Sequence, residues 1–229
     1  MSGQLPLALR WPAHQRFESF LAGPNGVVLD GLRALAHAAD PTWVFLHGGA
    51  GSGRTHLLIA ACASANANGR SAQYLPLARL GATRATAIRG FGGSELLAID
   101  DVGAIAGDRD AEHALFDLYN RCRADHATLL FAAAAPPAQL GIGLPDLVSR
   151  LAACTQFALK PLDEVERRIV LRERALARGI ELDDAALDWL FTRRNRDLAT
   201  LLDLLETIDA ASLAAKRRVT VPFLRSLLD

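Results

Sequence analysis

The run Gly48-Gly49-Ala50-Gly51-Ser52-Gly53-Arg54-Thr55 carries the clearest chemistry in this chain of 229 residues. Gly48 and Gly53 flank four residues, and a cation and a hydroxyl follow. That is the spacing of a phosphate-binding loop, with Arg54 where a lysine is expected. The glycines let successive backbone N–H groups converge on phosphate oxygens, and a helix N-terminus behind them favours negative charge. Thr55 offers the hydroxyl such sites give to a magnesium ion. Arg54 keeps the positive charge, but its planar fork is bulkier than an ammonium and cannot place a point charge between terminal phosphates in the same way. These residues point to nucleotide binding without efficient hydrolysis. The plainer alternative is a glycine turn that merely joins a strand to a helix.

The loop needs a strand before it and a helix after it, and the sequence offers both. Residues 43–47 (WVFLH) form a short apolar run bounded by a proline and glycines, and 55–67 (THLLIAACASANA) have helix-forming composition ending near Gly69. Upstream, an Ala-rich helix over 34–39 ends at Asp40-Pro41. Downstream, 71–75 reads as a strand, a glycine-containing segment runs to Gly93, and 95–101 (ELLAIDD) reads as a buried strand ending in two acids. A carboxylate of the Asp100-Asp101 pair is expected there to hold magnesium through water. A helix over 110–124, with Asp110 as its cap, and an apolar strand over 128–133 follow. Buried strands alternating with helices predict a parallel α/β sheet covered on both faces. Beyond Lys160-Pro161 strand-like runs give way to charged helical segments near 163–178, 183–194 and 197–217, and a short piece over 219–228. The division expected is an N-terminal arm (1–12), an α/β nucleotide-binding domain (13–161) and a small helical domain (162–229).

Composition narrows the function classes. Lys+Arg and Asp+Glu each number 25, so the chain lacks the cationic surplus that phosphate neutralisation along a duplex requires, and DNA contact is expected to be mainly indirect. No apolar run approaches the ~18 residues of a membrane span, and the N-terminus lacks the charged region of a signal peptide. Cys62, Cys122 and Cys154 show no paired spacing and fit reduced thiols of a cytoplasmic protein. The six histidines, 14, 37, 47, 56, 113 and 126, show no metal-ligand spacing. Ser52 is not a nucleophile elbow, because Ala50 and Arg54 stand where that motif needs glycines.

With a phosphate loop, an acidic strand and a helical C-terminal part in place, the chain resembles the AAA+ ATPases, and within them the DnaA initiator family with its Hda-type regulatory members. Phe17-Glu18-Ser19-Phe20 and Gly23-Pro24-Asn25 are similar to the family's segment near the adenine. Ile99-Asp100-Asp101 resembles its acidic motif, and residues 115–120 (LFDLYN) the helix after it. Residues 144–151 (LPDLVSRL) resemble the segment with the arginine finger, which implies Arg150 in that role, acting on a partner's nucleotide. Arg196-Asp197-Leu198 resembles the sensor 2 motif of the lid. The resemblance implies an AAA+ fold with a helical lid and ADP (or ATP) with magnesium as cofactors, held by Gly48, Gly51, Gly53, Arg54, Thr55, His56, Asp100 and Arg196, with Thr55 and Asp100 on the metal side.

The regulatory branch is favoured by three features: no initiator-type helix-turn-helix segment follows the lid, arginine replaces the loop lysine, and Gln4, Leu5, Leu7 and Leu9 within QLPLAL resemble a peptide that docks on the DNA polymerase sliding clamp. Polar residues usual after the fourth strand (sensor 1) are replaced by Ala132 to Ala135, a further sign of weak hydrolysis. The implied activity is stimulation of ATP hydrolysis on DnaA together with the DNA-loaded clamp, which prevents re-initiation. Homo-oligomerisation stays open. Two other functions remain: an AAA+ loader or anchoring adaptor, and a P-loop kinase with Arg54 in the lysine role.

Overall fold

Strand β1 (Trp43–His47) buries Val44, Phe45 and Leu46 completely or nearly so. A run apolar on both faces can be satisfied only in the middle of a sheet covered on both sides. The computed structural model, which describes residues 11–12, 14–38, 40–193, 198–215 and 218–228, places it there. Helix α1 (Gly26–His37) precedes β1, and α2 (Arg54–Ala67) follows it. Then come β2 (Ala72–Pro76), α3 (Arg84–Gly90), β3 (Leu96–Asp100), α4 (Arg109–Ala124), β4 (Thr128–Ala133), α5 (Pro145–Ala152) and β5 (Thr155–Ala158). The strand order is β2-β3-β4-β1-β5, with every neighbouring pair parallel. The predicted parallel α/β sheet is therefore present. Its carboxyl ends bring the last residues of β1 and β3, His47 and Asp100, to the same edge.

The chain divides into two compact units. The first holds α1 through β5, and its core is built on Phe45, Leu97, Ile99, Leu115, Leu129 and Phe131. The second comprises α6 (Glu164–Leu176), α7 (Asp184–Arg193), α8 (Leu198–Ala215) and α9 (Val221–Leu228), with Leu21–Asn25 and Gly48–Ser52. Leu171, Leu187, Phe191, Leu205 and Leu224 form its separate core. Helix α6 starts with a capping box: Glu166 N–H donates to Asp163 Oδ1 at 2.8 Å, and Asp163 N–H donates to Glu166 Oε2 at 2.9 Å. Asn25 and Lys160 exchange reciprocal bonds of 3.0 and 2.8 Å through the Asn side chain and the Lys backbone. No helix among the described residues is long and apolar enough to cross a membrane.

Six elements differ from the sequence reading. Helix α1 begins at Gly26, well before the Ala-rich stretch, because Val28, Leu29 and Leu32 continue its buried face toward the N-terminus. Asp108, not Asp110, caps α4: its Oδ1 accepts from Ala111 N–H at 3.1 Å, and Asp110 pairs instead with Arg89. Strand β3 ends at Asp100. Asp101 turns into the left-handed region at φ 55°, where its N–H reaches back to Asp100 Oδ1. The exposed four-residue β5 and the short helices α3 and α5 have no apolar run long enough to announce them.

Candidate functional site

The residues after β1 adopt backbone shapes that only glycine takes without strain. Gly51 and Gly53 have φ of 71° and 93°. A Cβ on Gly53 would also meet the Phe20 ring at 2.5 Å, and one on Gly48 would meet Leu159 at 2.9 Å. Two donors of this segment lack any partner although buried: Ser52 Oγ and Arg54 Nη1. Buried polar groups are almost always paired, so orphaned donors beside a glycine turn and a helix start mark the place of an anion. This fits the phosphates of a nucleotide. The second terminal nitrogen of Arg54 lies 3.9 Å from Asp101 Oδ1.

Helix α2 aims Thr55 at the end of β3. Thr55 Oγ1 donates to Asp100 Oδ2 at 2.6 Å. Tyr74, in the middle of β2, donates its phenol to the same oxygen at 2.9 Å, while Asp101 N–H donates to Oδ1 at 2.9 Å. Asp100 is 1% exposed, so these bonds replace water as its solvation. Burial, and then the Asp100 charge, push the Tyr74 phenol far above its ordinary range and keep it a donor. Burial and Asp100 also raise Asp101, against the pull of Arg54 and Arg79. A hydroxyl and a carboxylate in contact suit a magnesium ion taken by Thr55 and held by Asp100 through water. Tyr74 is an additional donor to that pair. No cluster of three or more His, Cys, Asp or Glu among the described residues forms a metal cage.

His56, one residue further along α2, has its ring 5.2 Å from that of Phe20, edge to face. Its Nε2 donates to the Arg16 carbonyl at 2.7 Å, since a carbonyl can only accept. His56 thus ties the segment before α1 to the helix after the phosphate loop.

Arg150 belongs to a different place. It sits near the end of α5, its guanidinium 5.9 Å from the Phe116 ring centroid and 5.6 Å from that of Tyr119. Trp43, Arg123, Asp146 and Ser149 line the same groove. Trp43 opens β1, whereas the phosphate loop follows its last residue, five positions on. At ~3.3 Å per residue the strand alone separates the two ends by about 16 Å. The buried carboxylate of Glu112 fixes the approach to α5: its Oε1 accepts from Gly107 N–H and Gly143 N–H, both at 3.0 Å.

The structure thus brings Thr55 and Asp100 together, keeps Arg54 and His56 on the same helix start, and sets Arg150 apart. Gln4, Leu5, Leu7, Leu9 and Arg196 lie outside the described residues. Tyr74 and Glu112 were not singled out by the sequence. A lone tyrosine in a strand and a glutamate in a helix give no signal until sheet pairing and loop packing place them.

A parallel sheet in this order, with a phosphate loop after β1, an acid ending β3 and a helical C-terminal part, defines an AAA+ P-loop domain with its lid. The chain belongs to the DnaA family: the model of the bacterial DnaA ATPase domain matches residues 12–158, and that of the Hda lid domain matches 163–228. Domain III of the Thermotoga maritima replication initiation protein DnaA is similar over 96% of this chain and 97% of that one, at 22% identity and a TM-score of 0.79. AMPPCP-bound DnaA from Aquifex aeolicus matches 90% of this chain and 69% of its own, at 20% identity and a TM-score of 0.67. The Thermotoga maritima RuvB Holliday junction branch migration motor matches 95% and 72%, at 16% identity and 0.63. At these identities the likeness is one of fold.

Proposed function

We propose that this chain is a regulator of the DnaA initiator that holds ADP in its own phosphate loop and stimulates hydrolysis of DnaA-bound ATP, together with the DNA-loaded sliding clamp. In this reading residues 13–161 form the nucleotide-binding domain, 162–229 the lid, and Gln4, Leu5, Leu7 and Leu9 the clamp-docking peptide of a cytoplasmic protein. Gly48, Gly51, Gly53, Arg54, Thr55 and His56 hold the nucleotide with Asp100 and Arg196. That a DnaA relative was solved with AMPPCP supports an adenine nucleotide.

The observation that carries the reading is the separation of Arg150 from its own phosphate loop by the length of β1. A guanidinium on that face cannot serve the nucleotide of its own chain, and is free to enter a neighbour's site. There it stabilises the charge developing on the transferred phosphoryl group. The ADP held at Gly48–Thr55 takes no part in that chemistry. It stabilises the folded, docking-competent chain by mass action.

The test is ATP hydrolysis by DnaA with clamp loaded on DNA, after adding the native chain, its Arg150→Ala variant, or nothing. Stimulation by the native chain that Arg150→Ala abolishes is expected. Clamp binding without stimulation would overturn the reading and leave an anchoring adaptor. ATP turnover by the isolated chain on a small-molecule acceptor would make it a kinase.

A further inference from the structure

We infer that Tyr74 stands in for a metal-bound water at Asp100, so that this phosphate loop holds its nucleotide with little help from magnesium. The inference rests on the nucleotide-binding part of the proposed function.

A carboxylate offers about four lone-pair sites, and three of those on Asp100 are taken: both on Oδ2, by Thr55 Oγ1 at 2.6 Å and Tyr74 OH at 2.9 Å, and one on Oδ1, by Asp101 N–H at 2.9 Å. The Thr55 bond is compatible with a bound ion, because a hydroxyl that gives its proton to Asp100 still has lone pairs to offer. The Tyr74 bond is not neutral in this respect. It occupies an acceptor site on the acid that would otherwise be open to a water of a magnesium shell, and so supplies one of the donors such a shell would bring.

Tyr74 is held there by the sheet. It pairs with Ala98 across the parallel β2–β3 ladder, two residues before Asp100, and side chains two apart on a strand share a face. The phenol is neutral, so it solvates the acid without adding charge. The positive charge an ion would bring is supplied nearby by Arg54, whose Nη1 is a buried donor still lacking an acceptor. A phosphate oxygen is the ligand that fits it.

The experiment measures ADP affinity by equilibrium dialysis on the nucleotide-stripped full chain, with millimolar magnesium and with excess EDTA, for the native protein and Tyr74→Phe. Native affinity should change less than about twofold on removing magnesium. Tyr74→Phe should weaken about tenfold in EDTA and recover with magnesium, the worth of one hydrogen bond to a charged group. Thermal melting without nucleotide checks that the variant folds. If it does not, Tyr74→His and Tyr74→Leu carry the same comparison, and only the variant without a donor should depend on magnesium.

A native chain that loses tenfold in EDTA would overturn the inference. So would a folded Tyr74→Phe that remains as indifferent to magnesium as the native chain. Failure of the native chain to bind ADP under either condition would overturn the nucleotide reading itself. That outcome is distinct, since binding is then absent both with and without magnesium.

Discussion

At the carboxyl ends of the strands Asp100 is 1% exposed and accepts from Thr55, Tyr74 and the Asp101 backbone. Toward the amino ends Arg150 lies partly exposed over the faces of Phe116 and Tyr119. The acid is solvated by fixed donors of its own unit. The cation is held by ring quadrupoles, which attract it without neutralising its charge. Removing the acid therefore disturbs this fold, whereas on the proposed function the arginine is the group offered to a second molecule.

The strongest way to break the contrast is Arg150→Ala. On the proposed function it lowers clamp-dependent stimulation of DnaA hydrolysis about 10³-fold, the range for a supplied arginine. ADP affinity of the chain itself should stay within about twofold. If affinity fell in step with stimulation, the two regions would act as one and the comparison would be lost.

Asp100→Asn tests the other side. The amide has one acceptor oxygen for three donors, so one buried donor is left facing an NH2 group. The expected loss is about 1–3 kcal/mol in urea unfolding without nucleotide. Arg150→Ala should cost less than about 1 kcal/mol in the same assay.

Phe116→Leu sharpens the picture of the groove by removing one of the two rings beneath Arg150. The concentration of this chain giving half-maximal stimulation should shift about threefold, in line with a cation–π contact of ~0.5–1 kcal/mol. The maximal rate should hold.

The smallest effect concerns Glu95, before β3. Its carboxyl is held below the usual range, first by the Ser71 backbone N–H, then by the Ser71 hydroxyl, with Arg70 adding to both. A depressed folded pKa contributes stability above the unfolded value near ~4.3, lost as pH falls through the folded value. Glu95→Gln should therefore lower stability slightly at neutral pH, where the contribution is present, leave low pH almost unchanged, and so make the acid limb of a urea-unfolding stability profile slightly shallower.

Much of this architecture was legible because its signals are local. An apolar run at 43–47, 95–101 or 128–133 has few ways to hide its side chains other than a covered strand. A glycine loop between the first of these and a helix narrows the chemistry to phosphate. Helix α5 and strand β5 were silent: β5 is a four-residue edge strand, half-covered at best, and its sequence TQFA carries no alternation that burial would impose. Asp110 was expected to cap α4 and Asp108 does so, since the chain does not advertise where the first helical N–H will point.

The sequence by itself determined the strand–loop–helix order, the arginine in the lysine position, the acid at the end of β3 and the helical C-terminal part, because each follows from residue type and short-range periodicity. Only the tertiary structure decided that Tyr74 completes Asp100, that Glu112 binds the N–H of Gly143, and that Arg150 lines one groove with Trp43, the residue that opens β1. Those relations join residues 26 or more positions apart in the chain. They depend on register and strand direction, which are settled when the sheet closes its backbone hydrogen bonds and buries both faces.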